Sequence, residues 1–185
     1  MALRSLYKQR RTLAALICLM ASGVTAHVQA GAPESAVKAT YLYKFAPFVE
    51  WPASAFPSQS SPFYLCVLAN EPLGAMLDQA TSGQRVGEHR IMVRRLGSME
   101  GGQGCHILYL GKAADKSTAE TLRNLKGAPI LTVADQNPSV RGAIIQFVVQ
   151  DGRVRFGIDT SAAAANGVTI SSKLLSLAIS IRPGV

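Results

Sequence analysis

The chain has little of what catalytic and metal centres are usually built from. Its 185 residues include only three cysteines and three histidines, and Asp and Glu together number 11. The sequence contains no Gly-x-Ser-x-Gly and no Cys-x-x-Cys motif, so acyl-transfer and thioredoxin-type chemistry lack their minimal parts. We therefore expect a protein that is not an enzyme, with an enzyme of unrecognised type as the weaker alternative.

The residues that could bind a metal ion or a phosphate are poorly arranged for it. Cys105 and His106 are adjacent in a predicted strand, where successive side chains point to opposite faces. The glycine-rich run 101–104 precedes a strand instead of opening a helix, which indicates a turn and not a phosphate-binding loop. We expect no metal and no cofactor, with His89 and His106 as ordinary structural or surface residues.

Long apolar runs are missing from residues 31–185. No stretch there reaches the roughly 20 apolar residues needed to cross a bilayer, and the length suits one domain with a single core. The net charge of +8 includes four cations near the N-terminus, which leaves 15 Lys and Arg against 11 Asp and Glu. Because these cations are scattered, we expect no nucleic-acid binding.

The first 30 residues have the pattern of a secretory signal peptide. The cations come first, at Arg4, Lys8, Arg10 and Arg11. An uncharged apolar stretch follows from Thr12 to Ala26, too short to span a membrane, and Val28-Gln29-Ala30 suits a signal peptidase. We expect cleavage after Ala30, which leaves an exported domain of residues 31–185.

Apolar periodicity after the leader predicts an α/β fold. An amphipathic helix is expected over Ala36–Trp51, kinked by Pro47, and strands then alternate with helices. This order is typical of a largely parallel sheet flanked by helices. The expected strands are 63–69, 90–96, 105–110 and 129–133, and the expected helices are 72–80 and 116–126.

The last third of the chain predicts a C-terminal antiparallel hairpin. Strands 143–149 and 153–159 are joined by Asp151-Gly152, which favours a tight turn. We expect Asp159 to cap a short alanine-rich helix, and a final helix to run from Ser171 until Pro183 ends it. The whole is expected to be a single compact domain with a mixed, largely parallel sheet.

Two cysteines remain after removal of the leader, Cys66 and Cys105. An even pair in an oxidising compartment predicts a disulfide, since both residues lie in strand-like segments that could be neighbours. Two buried free thiols are the alternative.

Aromatic residues cluster early in the exported domain. They are Tyr41, Tyr43, Phe45, Phe48, Trp51 and Phe56. Tyr43 lies off the apolar arc of the first helix, and Trp51 and Phe56 lie at its proline-rich end, where exposed rings would favour contact with a protein or a small ligand. Packing into the core is the alternative and the more common role of such residues.

Three parts of the chain together resemble the YfiR-like periplasmic family. They are Lys38–Pro52, the pair Cys66–Leu68 and Cys105–Leu108, and the segments 142–156 and 170–175. Phe-Val-Glu-Trp-Pro, residues 48–52, is the most specific element, and the resemblance covers nearly all of residues 31–185. It implies a compact α/β periplasmic protein that forms homodimers.

The resemblance also implies a function. Such a protein represses an inner-membrane diguanylate cyclase by binding its periplasmic sensor domain, which lowers cyclic di-GMP and biofilm formation, and an outer-membrane lipoprotein antagonises it. The family disulfide carries over to Cys66 and Cys105. Some members have a second cysteine pair in the last third, which is absent here, so redox control through that pair is in doubt.

The partner-binding residues are expected in the last third. Arg153, Arg155 and Gly157 form the polar face of the hairpin, and Thr169 and Ser171 lie before the last helix. An exposed edge strand is a ready contact surface, although charges there can equally serve to prevent aggregation. A periplasmic small-molecule sensor, with its ligand in the crevice at the carboxyl ends of the strands, is the alternative function.

Overall fold

A computed structural model describes residues 32–68, 73–98, 102–111, 116–136 and 142–182. The predicted signal peptide and its cleavage site lie outside these residues. Within them, no helix combines the length and the apolar character that a membrane-spanning segment needs. The elements below all lie between residues 32 and 182, within the range predicted for the exported domain.

Helices and strands alternate along the described chain. The helices are α1 (Glu34–Phe45), α2 (Leu73–Thr81), α3 (Lys116–Asn124), α4 (Thr160–Ala165) and α5 (Ser172–Leu175). The strands are β1 (Val49–Glu50), β2 (Phe63–Leu68), β3 (Arg85–Val86), β4 (His89–Leu96), β5 (Ile107–Tyr109), β6 (Leu131–Asp135), β7 (Ile145–Gln150), β8 (Arg153–Asp159), β9 (Thr169–Ile170) and β10 (Ser180–Arg182).

Eight of the strands form one sheet in the order β10-β8-β7-β6-β5-β2-β4-β3, and β1 pairs separately with β9. Neighbours from β4 through β2, β5 and β6 to β7 are parallel, while β8 is antiparallel to β7 and β3 is antiparallel to β4. The predicted fold class, a mixed and largely parallel sheet flanked by helices with a C-terminal antiparallel hairpin, is confirmed.

Helices cover the two faces of the sheet unequally. One face packs against α1, α2, α4 and α5 through a large apolar cluster. Within it Phe45 of α1 contacts Phe147 and Phe156, with ring centroids 5.9 and 5.1 Å apart. The other face has a smaller cluster, which includes Leu108 of β5 and Leu125 at the end of α3. Strands β7 and β8 therefore have a well-covered face and a barely covered one.

The hairpin turn agrees with its sequence. Asp151 and Gly152 both have positive φ, 51° and 68°, as the tight turn favoured by Asp-Gly requires. The side chain of Asp159 accepts a hydrogen bond from the Ala162 N–H at 2.9 Å, so its predicted role as a helix cap is confirmed.

The first and last predicted helices are wrong in their extent. The first ends at Phe45, because Pro47 has no backbone N–H, and the chain continues through a 3₁₀ turn into β1 instead of reaching Trp51. The last is limited to Ser172–Leu175, and the chain then extends as β10 beside β8. In both places pairing with a distant strand replaces the expected helical turns.

A buried ion pair fixes α1 to the sheet. The Lys38 Nζ lies 2.8 Å from Asp135 Oδ2 and 2.5 Å from Glu34 Oε1, and the Tyr109 hydroxyl donates to Asp135 Oδ1 at 2.9 Å. Burial alone would lower the pKa of Lys38, but the hydrogen bonds to Asp135 and Glu34 outweigh it, and the pKa lies above its usual value. Lys38 therefore stays charged.

Replacing Lys38 by Met should lower the free energy of unfolding by on the order of 3 kcal/mol, because it leaves the buried Asp135 carboxylate without its cation. Urea denaturation measures this. The double variant K38M/D135L should be more stable than K38M alone, since neither charge then remains buried. If the double variant loses as much unfolding free energy as the two single variants K38M and D135L lose together, Lys38 and Asp135 do not stabilise each other.

The structure pairs Cys66 with Cys105, whose Cα atoms lie 5.9 Å apart. Cys66 comes from β2 and Cys105 precedes β5, so the bond joins neighbouring strands beneath α3. The disulfide interpretation is thus confirmed over the one with free thiols.

The double variant C66A/C105A should lose up to about 4 kcal/mol of unfolding free energy, because the bond closes a loop of 39 residues in the unfolded chain. Urea denaturation of both proteins, with and without reductant, measures the loss. Reductant should destabilise the natural protein and leave the variant unchanged. Two thiols that react with an alkylating agent in the denatured, unreduced exported protein would contradict the bond.

Candidate partner-binding surface

Strand β8 divides its side chains between the core and an open face of the sheet. Val154, Phe156 and Ile158 are buried on the α1 side, whereas Arg153 and Arg155 are exposed on the other. This is the period of two expected of a strand with one face in the core. The two arginines are thus placed as the sequence predicts.

Gly157 requires a correction, because it is buried and not part of the exposed polar surface. Strand β10 lies beside it, and a Cβ at this position would approach Ser180 Oγ to 2.5 Å. For the same reason β8 is not the sheet edge over residues 157–159. The open edge there belongs to β10.

Arg182 joins the same open face and was missed from the sequence. In the parallel pair, Ser180 lies beside Gly157 and Arg182 beside Asp159, which puts both on the Arg155 side of the sheet. Arg182 Nη2 donates to Gln146 Oε1 across the sheet at 3.1 Å. The sequence predicted a helix up to Pro183, and Arg182 in a helix would not lie beside β8. For that reason Arg182 was not among the predicted contact residues.

We call this surface the basic face. Its members are Gln146, Val148, Gln150, Arg153, Arg155, Asp159, Ser180 and Arg182. Within the described residues, its three arginines make no ion pair with a carboxylate. Such unpaired cations on an open sheet suit contact with an acidic partner.

Thr169 and Ser171 lie elsewhere. Thr169 is exposed in β9, opposite Glu50, and the Ser171 N–H donates to the Phe48 carbonyl at 2.9 Å. The Ser171 hydroxyl caps α5 by accepting from the Leu174 N–H. Their neighbours pack against the apolar cluster around α1, so the structure gives them contacts distinct from those of the basic face.

The aromatic rings proposed for contact have packing partners within the domain. Phe56 lies between His89 and His106, with ring centroids 4.0 and 4.5 Å away, and Trp51 meets the edge of Phe63 at 5.1 Å. Tyr43 is half-buried against the same core. These contacts favour the packing interpretation, and a contact of these three rings with a partner stays a prediction.

His106 is the centre of this aromatic stack. Its Nδ1 accepts a hydrogen bond from the Tyr64 N–H at 3.0 Å, and its Nε2 donates to the Ala55 carbonyl at 3.1 Å. Burial lowers the pKa of His106 to about 4, although the Ala55 carbonyl opposes the shift and His89 adds to it. The ring is therefore neutral at physiological pH and ties the loop after Trp51 to the sheet.

Two concavities of the described chain lie away from the crevice predicted for a small molecule. In the described parts of the chain, no three His, Cys, Asp or Glu side chains converge as a metal site requires. The concavities, of about 410 and 360 Å³, lie near the starts of β4 and β5. The crevice predicted for a small molecule is at the opposite, carboxyl ends, where the Lys38, Asp135 and Tyr109 side chains bind one another.

The family model described as YfiR/HmsC-like matches residues 35–179, which include all described helices except the first residue of α1, and all described strands except β10. It is a family of periplasmic regulatory proteins. The match spans both cysteines of the disulfide, and within the basic face it includes Arg153 and Arg155 and stops short of Arg182.

His106 predicts a specific acid sensitivity. Its pKa in the folded protein, about 4, is below the ordinary value of 6.5, so the unfolded chain binds the extra proton first as the pH falls. Stability should therefore decrease from pH 6.5 downwards, by on the order of 3 kcal/mol at pH 4. Urea denaturation across this range measures the slope.

The variant H106Q should lose this part of the pH dependence, because glutamine does not titrate. H89Q, on the other side of Phe56, is the matched control and should keep most of it, because His89 is the smallest contributor to the lowered pKa of His106. If H106Q shows the same slope as the natural protein between pH 4 and 6.5, the assignment to His106 is wrong.

Proposed function

Because the chain belongs to the YfiR/HmsC-like family, we propose that it binds and represses an inner-membrane diguanylate cyclase from the periplasmic side. Repression would lower cyclic di-GMP and with it biofilm formation. The observation that carries this proposal is the family match over residues 35–179. The protein would act by binding alone and would not be an enzyme.

The basic face supports a role in protein contact. Arg153, Arg155 and Arg182 lie on a sheet surface that no described helix covers, and none of them makes a described ion pair with a carboxylate. A set of unpaired cations steers an oppositely charged protein and disfavours like-charged ones. We propose this face as the main contact with the cyclase sensor domain, with Thr169 and Ser171 as a separate contact.

Export is part of the same proposal. Residues 1–30 would act as a signal peptide cleaved after Ala30, which delivers the domain to the periplasm where a sensor domain can be reached. The proposal also includes a homodimer and an outer-membrane lipoprotein that competes for the repressor. Tyr43, Trp51 and Phe56 are proposed only as secondary contacts, because they already pack within the domain.

Deleting the gene in the source cell should raise cyclic di-GMP, and restoring it should reverse the rise. The variant R153E/R155E should fail to restore repression, because two repelling charges replace two attractive ones. Cyclic di-GMP in cell extracts is the measurement. R123E/K126E, which reverses two exposed cations at α3, is the matched control and should restore it fully.

Both variants must reach the periplasm at the level of the natural protein and unfold at the same urea concentration. An unchanged cyclic di-GMP level on deletion would overturn the repressor proposal. Full repression by R153E/R155E would overturn the assignment of the contact to these two arginines.

A further inference from the structure

Strand β10 is the open edge of the large sheet. It is the first strand in the order, with β8 on one side, and no described strand lies on the other. The Ile179 N–H donates to the Phe156 carbonyl at 2.9 Å. In a parallel pair alternate residues bond to the neighbour, so the N–H and C=O of Ser180 point away from β8.

The two sides of β10 differ in chemistry. Ile179 and Ile181 belong to the α1 side of the sheet, and each is 46% exposed although Ile181 lies beside the buried Ile158. Ser180 and Arg182 belong to the basic face. The exposed edge is therefore apolar on one side of the sheet and cationic on the other. A strand added to it would match if its own side chains were apolar on the first side and acidic on the second.

We infer that β10 binds an extended segment of the protein partner as an additional strand, and that this segment alternates apolar with acidic side chains. Its apolar residues would cover Ile179 and Ile181, and its carboxylates would pair with Arg182. Backbone hydrogen bonds to Ser180 would supply affinity, as in other strand additions. The inference rests on the proposed function for the existence of a partner and adds the chemistry of the bound segment.

Charge favours such a segment over a second copy of this chain. Two copies joined antiparallel at β10 would continue one sheet, with both basic faces on the same side. Six arginines would then share a surface with two Asp159 carboxylates, which cap α4 and make no described ion pair with them, and this excess of cations disfavours the pair. An acidic segment would instead place carboxylates beside these arginines, which favours binding.

The test uses the exported domain, residues 31–185, and a fluorescein-labelled synthetic peptide that alternates Val and Glu. Fluorescence anisotropy should show binding that weakens as salt rises. A peptide with Lys in place of Glu should bind at least about tenfold more weakly. The variant R182E should bind the Lys peptide more tightly than the Glu peptide. The variant I179T/I181T should bind both peptides more weakly than the natural protein does.

R123E is the matched control and should bind the Glu peptide as the natural protein does. Equal binding of the two peptides, or a preference unchanged by R182E, would overturn the inference. Two other outcomes would overturn it in favour of a different occupant. If phosphatidylglycerol vesicles bind and displace the Glu peptide, the occupant is a lipid surface. If the protein self-associates with rising concentration and R182E alters this, the occupant is a second copy of the chain.

Measuring cyclic di-GMP in cells distinguishes a failure of this inference from a failure of the proposed function. If deletion raises cyclic di-GMP and R182E represses fully, the segment inference fails and the proposed function stands. If deletion raises cyclic di-GMP and R182E, exported normally, represses poorly, both are supported. A deletion without effect overturns the proposed function, whereas the peptide experiment still decides what β10 binds.

Discussion

The alternation of side chains along β7 and β8 determines how the rest of this structure is arranged. Phe147 and Phe156 point to one face, where Phe45 of α1 completes an aromatic cluster. Because successive residues of a strand face opposite sides, Gln146 and Arg155 must then point to the other. Among the described elements no helix covers that side at this end of the sheet, and Arg153 and Arg155 are exposed there.

Ionisable groups follow the same division between inside and outside. Within the core, Lys38 is matched by Asp135 and Glu34, and His106 is kept neutral by burial. These groups hold elements together, and their charges are neutralised or suppressed within the domain. The arginines of the basic face have no such partner among the described residues, so their charge remains available for binding outside the domain.

Sequence alone predicted the parts of the fold that depend on local chemistry. The Asp151-Gly152 turn, the two faces of Arg153–Asp159 and the Asp159 cap follow from residue type and spacing, and each is present. The disulfide followed from the count of cysteines and from the family resemblance. These features need only nearby residues or a simple constraint on pairs.

The missed features depend on distant contacts. Strand β10 has three residues and is defined by its pairing with β8, which no local periodicity reveals. The place of Arg182 on the basic face and the burial of Gly157 both follow from that one pairing. The neutral state of His106 could not be predicted either, because its two partners, Tyr64 and Ala55, are 42 and 51 residues away in sequence.

The position of β10 also joins two roles that the sequence presented as alternatives. Charges at a sheet edge can prevent pairing between copies, or they can bind a partner. Arg182 and Arg155 lie so that a second copy would add like charges, whereas an acidic segment would add opposite ones. The same side chains therefore oppose pairing between two copies at the β10 edge and favour a particular partner there, because specificity is a difference between two binding free energies.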